Sequence, residues 1–221
     1  MKFDMLEIAT RAAVYFVPFL FALCFHEYAH GWVARQRGDR TAELMGRLTM
    51  NPLAHMDFVG TFLLPMMAII FPGGIFFGWA KPVPVNERNL KNPRVDMFWI
   101  ALAGPASNVL LALVATAVMW VLAHFFISLT ILPTLIELLN LFIGINLFLA
   151  VFNAIPLHPL DGGKIIARFL PHSINQKLED HQQMTSIILL VLIMMGAMRF
   201  LVIPVEIIHH FLRMIALGGL S

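Results

Sequence analysis

Apolar residues fall along this chain in long runs, without the alternation of a strand or the one-sided spacing of a water-exposed helix. Five runs are strong, at 12–34, 58–72, 97–127, 135–155 and 184–203. A sixth, 205–219, is weaker because it carries His209, His210 and Arg213. A helix needs about 20 residues to cross a hydrocarbon core. Every strong run reaches that length except the second, FVGTFLLPMMAIIFP, which has Pro65 inside it and ends at Gly73-Gly74.

The polar intervals orient these runs. Loop 35–57 carries Arg35, Arg37, Arg40 and Arg47, and loop 81–96 carries Lys81, Arg88, Lys91 and Arg94. Lys and Arg concentrate in cytoplasmic loops, so both loops belong on one side. Segment 58–72 is then expected to dip in and return as a re-entrant element, which is allowed where protein or water satisfies its backbone; the alternative is a full crossing that puts four arginines outside. The connection 124–134 contains no Lys or Arg and reads as an outer loop, whereas 156–183 holds Lys164, Arg168 and Lys177 and reads as inner. The first helix therefore runs from outside to inside. The pattern predicts an all-α polytopic membrane protein, a bundle of about five to six transmembrane helices with a re-entrant segment. A short membrane-associated strand at 79–86 is added by GWAKPVPVN, where alternating Pro82 and Pro84 forbid helix. The whole of 1–221 is expected to form one integral-membrane domain, with a core at 12–170 and C-terminal helices at 184–219.

Composition agrees. Of 221 residues, 59% are hydrophobic and 13% charged, about half the charge of a soluble domain. The net charge of +2, dispersed over short loops, gives no footprint for nucleic acid. The single cysteine, Cys24, excludes an internal disulfide and a cysteine-rich zinc knuckle. The apolar run from Ala12 to Phe25 has the length of a signal-peptide core, but HEYAH follows it instead of a small-residue cleavage site, so no cleaved signal is expected.

FHEYAHGWVA, residues 25–34, is anomalous in such a chain, because ionisable groups inside a span are disfavoured and by default mark function. His26 and His30 are four apart and share one helix face. Two imidazoles so placed suit one zinc ion, and Glu27 stands beside them to take a proton from metal-bound water. A catalytic zinc takes three protein ligands. Asp161, in NAIPLHPLDGGKI, is the favoured third, in a stretch that Pro156 and Pro159 keep from being helical; capping of a helix starting at Gly162 is its alternative role. His158 and His55 are rival ligands. His124, His209 and His210 lie at outer or terminal positions, away from an inner-face site.

HEYAH, then ALAGPASNVLLA (101–112), then NAIPLHPLDGG (153–163) together resemble the site-two protease family of intramembrane zinc metalloproteases. GRLTMNPLAHMDFVGT (46–61) and FGWAKPVPVN (77–86) resemble its compact prokaryotic branch without PDZ or CBS domains. The likeness covers about residues 20–170. It implies a helix bundle around one zinc ion per chain, set a short way in from the cytoplasmic face of the plasma membrane, with His26, His30 and Asp161 as ligands and Glu27 as the catalytic carboxylate. Relatives often carry an apolar residue or proline where this chain has His158. Depth agrees: if the first helix leaves the membrane near Arg35, His30 lies about 7 Å and His26 about 13 Å inside, at 1.5 Å per residue.

Asn108 and Asn153 are amides in apolar helices, suited either to interhelical hydrogen bonding or to holding a substrate carbonyl or oxyanion. Gly104-Pro105-Ala106 reads as a small-residue packing surface. In the 79–86 strand Val83 and Val85 keep their N–H donors on one edge, where an unwound substrate can be added as a strand; a rigid loop exit is the alternative. The expected activity is zinc-dependent hydrolysis of peptide bonds in or near transmembrane segments of other proteins, within a lipid bilayer. Metal transport and an inactive membrane adaptor are the alternatives. Transport needs ionisable residues along a path to both faces, and the outer halves of the spans hold few beyond Glu137 and His124.

Overall fold

A computed structural model of the chain describes residues 5–70 and 78–218. The expected break at Gly73-Gly74 lies outside the described residues. Four helices are long and apolar enough to cross a membrane: α1 (Met5–Gln36), α3 (Pro93–Phe125), α4 (Leu132–Asn153) and α8 (Arg199–Leu217). Between them lie α2 (Phe58–Ile70), α5 (Asp161–Ala167), α6 (His172–Asp180) and α7 (Gln182–Met194). Single turns at Thr41–Leu44 and Pro52–His55 fill the connection between α1 and α2.

Two helices widen just ahead of an internal proline. Ala12–Phe16 forms a π-turn before Pro18, and Phe58–Leu63 forms one before Pro65. A proline lacks the N–H for its own helical bond and crowds the carbonyl four residues back, and the wider turn relieves that crowding. With 13 residues, α2 reaches about 20 Å, short of a full crossing.

The C-terminal third departs from the expected spans. The run 184–203 is not one crossing. It is cut at Gly196, which has φ +79°. Ala197 N–H bonds to Leu192 O and Gly196 N–H to Ile193 O, the αL helix stop that glycine permits. Helix α7 is therefore short, and the weaker run 205–219 lies in α8, which does have spanning length. The described residues thus hold four long helices where five to six were expected.

Helix α3 is the central post, packed against α1, α4, α5 and α8. Ala112, Ala115 and Met119 of α3 meet Ile143 and Leu147 of α4 and Val205, Leu212 and Ala216 of α8. Phe19, Ala22 and Leu23 of α1 pack on Leu149 of α4. Many large apolar side chains point outward, among them Leu110, Leu113, Val114 and Val121 on α3, as they do when lipid is the solvent.

No strand occurs among the described residues. Segment 78–86 is nevertheless stitched to the protein. Trp79 N–H bonds to Gly60 O, and Lys81 N–H to His55 O. Val83 N–H bonds to Glu27, and Asn86 N–H to Asp39. Arg47 clamps the carbonyls of Lys81 and Pro82. The donors at 79, 81 and 83 point one way because successive N–H groups of an extended chain alternate. Pro82 and Pro84 fall on the opposite edge. Over 81–84 the N–H donors therefore lie on one edge, and this fold uses that edge itself.

Candidate active site

Helix α1 carries His26, Glu27 and His30 inward, all three buried. Asp161 opens α5, reached from α4 by the non-helical stretch that the prolines at 156 and 159 enforce. Gly162 lets this corner close, since a Cβ there would overlap the carbonyl oxygens of Ala154 and Ile155. Gly104 does the same on the facing wall: a Cβ there would overlap both imidazoles. The small residue read as packing surface thus lets α3 lie directly against the histidine pair.

Three ligand atoms converge. His26 Nε2 and His30 Nε2 are 3.0 Å apart, and Asp161 Oδ2 lies 3.1 Å from the first and 3.2 Å from the second. The far ring nitrogens decide the protonation. His30 Nδ1 faces the backbone carbonyl of Ile100 at 2.7 Å, which can only accept, so Nδ1 carries the proton. His26 Nδ1 faces Asn108 Oδ1 at 2.7 Å. The Asn108 amide is turned that way because its Nδ2 donates to Asn146 Oδ1 at 3.0 Å, and Asn146 Nδ2 donates to Phe142 O. His26 Nδ1 therefore also carries the proton. Both Nε2 atoms present lone pairs, and the third atom is a carboxylate oxygen with no hydrogen-bond partner.

With both rings neutral, three acceptors about 3 Å apart repel one another in a buried site, and a cation at their centre reconciles them. A tetrahedral zinc ion with bonds near 2.0–2.1 Å sets its ligand atoms about 3.3 Å apart, close to the triangle observed. The residues present fit zinc, and the hydrogen bonds on both Nδ1 atoms are the outer partners that such histidines take.

Glu27 does not join the triangle. Its Oε2 accepts the Val83 N–H at 2.8 Å. This corrects the expectation that Val83 offers its N–H to a substrate, because the catalytic candidate already holds it. Val85 lines the cavity beside the site, and its side chain packs against the cluster of Ala34, Leu90 and Ile100. Asn153 also lines the cavity, with its Nδ2 donating to Leu149 O one turn back. Asn108 is buried behind His26, holds its ring through Nδ1 and does not line the cavity. The cavity measures 460 Å³ and is walled chiefly by apolar side chains, including Leu23, Ile100, Leu149 and Phe152.

The rival ligands fall away. His55 is buried and bonds through Nε2 to Thr49 O. His158 is buried too, but lines a separate cavity with Arg94, Lys164 and Arg168. Asn146 and the Ile100 carbonyl are the contributors that sequence reasoning missed, while the Val83 N–H was expected to serve a substrate and bonds Glu27. Only Asn146 left a trace, as one more amide in an apolar helix.

Comparison with known proteins agrees with the site. The profile described as Peptidase family M50 matches residues 14–132 and 125–197. Three relatives share the name "Putative zinc metalloprotease". YwhC of Bacillus subtilis is 37% identical over 80% of this chain and 78% of its own. Rip2 of Mycolicibacterium smegmatis is 27% identical over 81% and 66%. MJ0611 of Methanocaldococcus jannaschii is 34% identical over 64% and 63%. The chain thus spans just under two thirds of the length of the last two. No solved structure matches. The chain belongs to peptidase family M50, the site-two protease family of zinc metalloproteases, and its long apolar helices are those of an integral, multi-pass membrane protein.

Proposed function

We propose that this protein hydrolyses peptide bonds within or near the transmembrane segments of other membrane proteins, at one zinc site opening toward the cytoplasmic side of the plasma membrane. The observation that carries the reading is the triangle of proton-free acceptors beside a buried, pinned carboxylate, at the wall of an apolar cavity inside a bundle of spanning length. Zinc held by His26, His30 and Asp161 supplies Lewis acidity toward water and a scissile carbonyl.

The chain's own residues do the rest. With Oε2 held by Val83 N–H, the Glu27 carboxylate keeps Oε1 free to take a proton from water and later to pass it to the leaving amine. The Ile100 carbonyl and Asn108 hold both imidazoles in one tautomer and one orientation, so the site is set before substrate arrives. The cavity walls receive apolar side chains and keep bulk water off the reacting bond. Lipid and transmembrane substrates are therefore the expected partners. The basic loops 35–57 and 81–96 flank the inner end of α1 and support the cytoplasmic orientation.

The test is the purified protein beside its Glu27→Gln variant, measured for zinc content and for cleavage of a panel of transmembrane peptides. Zinc in both and cleavage by the parent alone is the expected result. Cleavage at the parental rate by the variant would reject Glu27 as the base, and zinc uptake into vesicles by the parent would replace proteolysis with transport.

A further inference from the structure

Loop 35–57 carries four arginines, and one is used differently from the rest. Arg35 and Arg40 pair with Glu43, and Arg37 pairs with Asp96. Arg47 has no carboxylate partner among the described residues. Its guanidinium donates instead to two backbone carbonyls, that of Lys81 at 2.7 Å and that of Pro82 at 3.3 Å. The local backbone sends it there. The turn Thr41–Leu44 is closed by Gly46, which has φ +66°. Gly46 N–H bonds to Glu43 O and Arg47 N–H to Ala42 O, the paired closure that fixes the residue after a left-handed glycine. The root of Arg47 is therefore tied to a turn whose Ala42 is buried.

The Pro82 carbonyl and the Val83 N–H belong to one peptide group. In a trans peptide these two point in opposite directions. A guanidinium thus lies on one side of this plane and the Glu27 carboxylate on the other, with the Val83 N–H reaching Glu27 Oε2 at 2.8 Å. A cation on the carbonyl polarises the group and makes its N–H a stronger donor to an anion. Pro82 and Pro84 restrict the backbone on both sides of Val83. Glu27 and Val83 are buried, so water competes little for the bond between them. Arg47 itself does not line the active-site cavity.

We infer that Arg47 is a positioning residue for the proposed base: it holds the Pro82–Val83 peptide turned so that the N–H fixes Glu27 Oε2 and leaves Oε1 free. The assignment rests on Glu27 acting as the base of the proposed hydrolysis. It adds that this arginine works on the carboxylate through a single peptide group, touching neither the cavity nor the metal triangle.

The test is a double-mutant cycle in the full-length zinc-loaded protein in detergent, with one transmembrane peptide as substrate. Arg47→Gln should lower kcat about tenfold while KM stays within a factor of about two, with zinc content unchanged. Arg47→Lys keeps a charged donor for one carbonyl and should lose only about threefold. Val83→Pro removes the N–H through which Arg47 acts, so adding Arg47→Gln to it should lower kcat by less than a further factor of about two. Arg40→Gln removes an arginine of the same loop that pairs with Glu43, and should leave kcat within a factor of about two. Losses that multiply in the double variant, or parental kcat in Arg47→Gln, overturn the assignment and leave Glu27 as the base. If Arg47→Gln loses its zinc or its fold, the cycle is run with Arg47→Lys, whose loss should likewise vanish beside Val83→Pro and whose multiplication with it overturns the assignment. No cleavage by the zinc-loaded parent overturns the proposed hydrolysis and the assignment with it.

Discussion

The backbone N–H of Val83 donates to Glu27 Oε2 at 2.8 Å. The carboxylate proposed as the base is thus aimed by a loop 56 residues away in the chain. The loop is in turn held by Arg47 at Lys81 and Pro82 and by Asp39 at Asn86. Pro82 and Pro84 restrict φ on both sides of Val83, so the donor is presented by a stiff backbone. Removing that one donor tests the relationship. Val83→Pro should lower kcat by about tenfold or more, as expected when a positioning hydrogen bond to a catalytic group is lost. Bound zinc, read by elemental analysis, should not change, since Glu27 is not in the ligand triangle.

Asn108 acts through His26. Its Oδ1 accepts the Nδ1 proton at 2.7 Å, and Asn146 keeps the amide turned that way. Asn108→Leu removes the acceptor and frees the ring to rotate or change tautomer. Zinc affinity, measured by competition with a chelator, should fall about 10- to 100-fold. Asn146→Leu should give a smaller loss of the same kind, because it acts one bond further out.

Two glycines offer a matched contrast. A Cβ on Gly104 would overlap His26 and His30, whereas the nearest neighbour to a Cβ on Gly144 is His209 Cε1 at 3.7 Å, an ordinary contact. Gly104→Ala should therefore displace the imidazoles and leave the protein depleted of zinc. Gly144→Ala should keep full zinc and melt at or slightly above the parental temperature, because alanine is the better helix former by about 1 kcal/mol.

Asp39 supplies a pH signature outside the spanning segments. Its burial would raise the carboxyl, but hydrogen bonds from Thr41, Asn89 and Asn86 outweigh it and hold the group below its ordinary 3.8. A carboxyl depressed on folding stabilises the fold above its unfolded value, and that stability is lost as pH falls through the folded value. Asp39→Asn, which turns an acceptor into a donor facing donors, should cost about 1–3 kcal/mol at neutral pH. Thermal unfolding of parent and variant in detergent should show the gap constant from neutral pH down to about pH 4 and closing below it. A gap that widens on acidification would contradict the sign.

Sequence alone determined the class of the molecule and the heart of its site. Long apolar runs and arginine-rich loops specify a helical membrane protein because lipid leaves the backbone no other economical way to satisfy its hydrogen bonds. His26, Glu27 and His30 were legible because an i, i+4 pair meets through helix geometry alone, whatever the rest of the chain does. Asp161 was legible as the favoured third acceptor in a proline-broken stretch, and more firmly through the ordered motifs of a family, but no local rule brings residue 161 to residue 30, and His158 stood as a rival only three positions away. Tertiary packing chose between them by turning Asp161 onto the histidines and His158 into another cavity. Packing also decided where the last apolar stretch breaks, because Gly196 stops a helix only when the backbone takes a positive φ there, and composition does not encode φ. It likewise decided what Gly104, Asn108, Asn146 and Val83 do. Each acts by close approach or by a single directed hydrogen bond to a residue tens of positions away, and such contacts exist only once the helices have been set side by side.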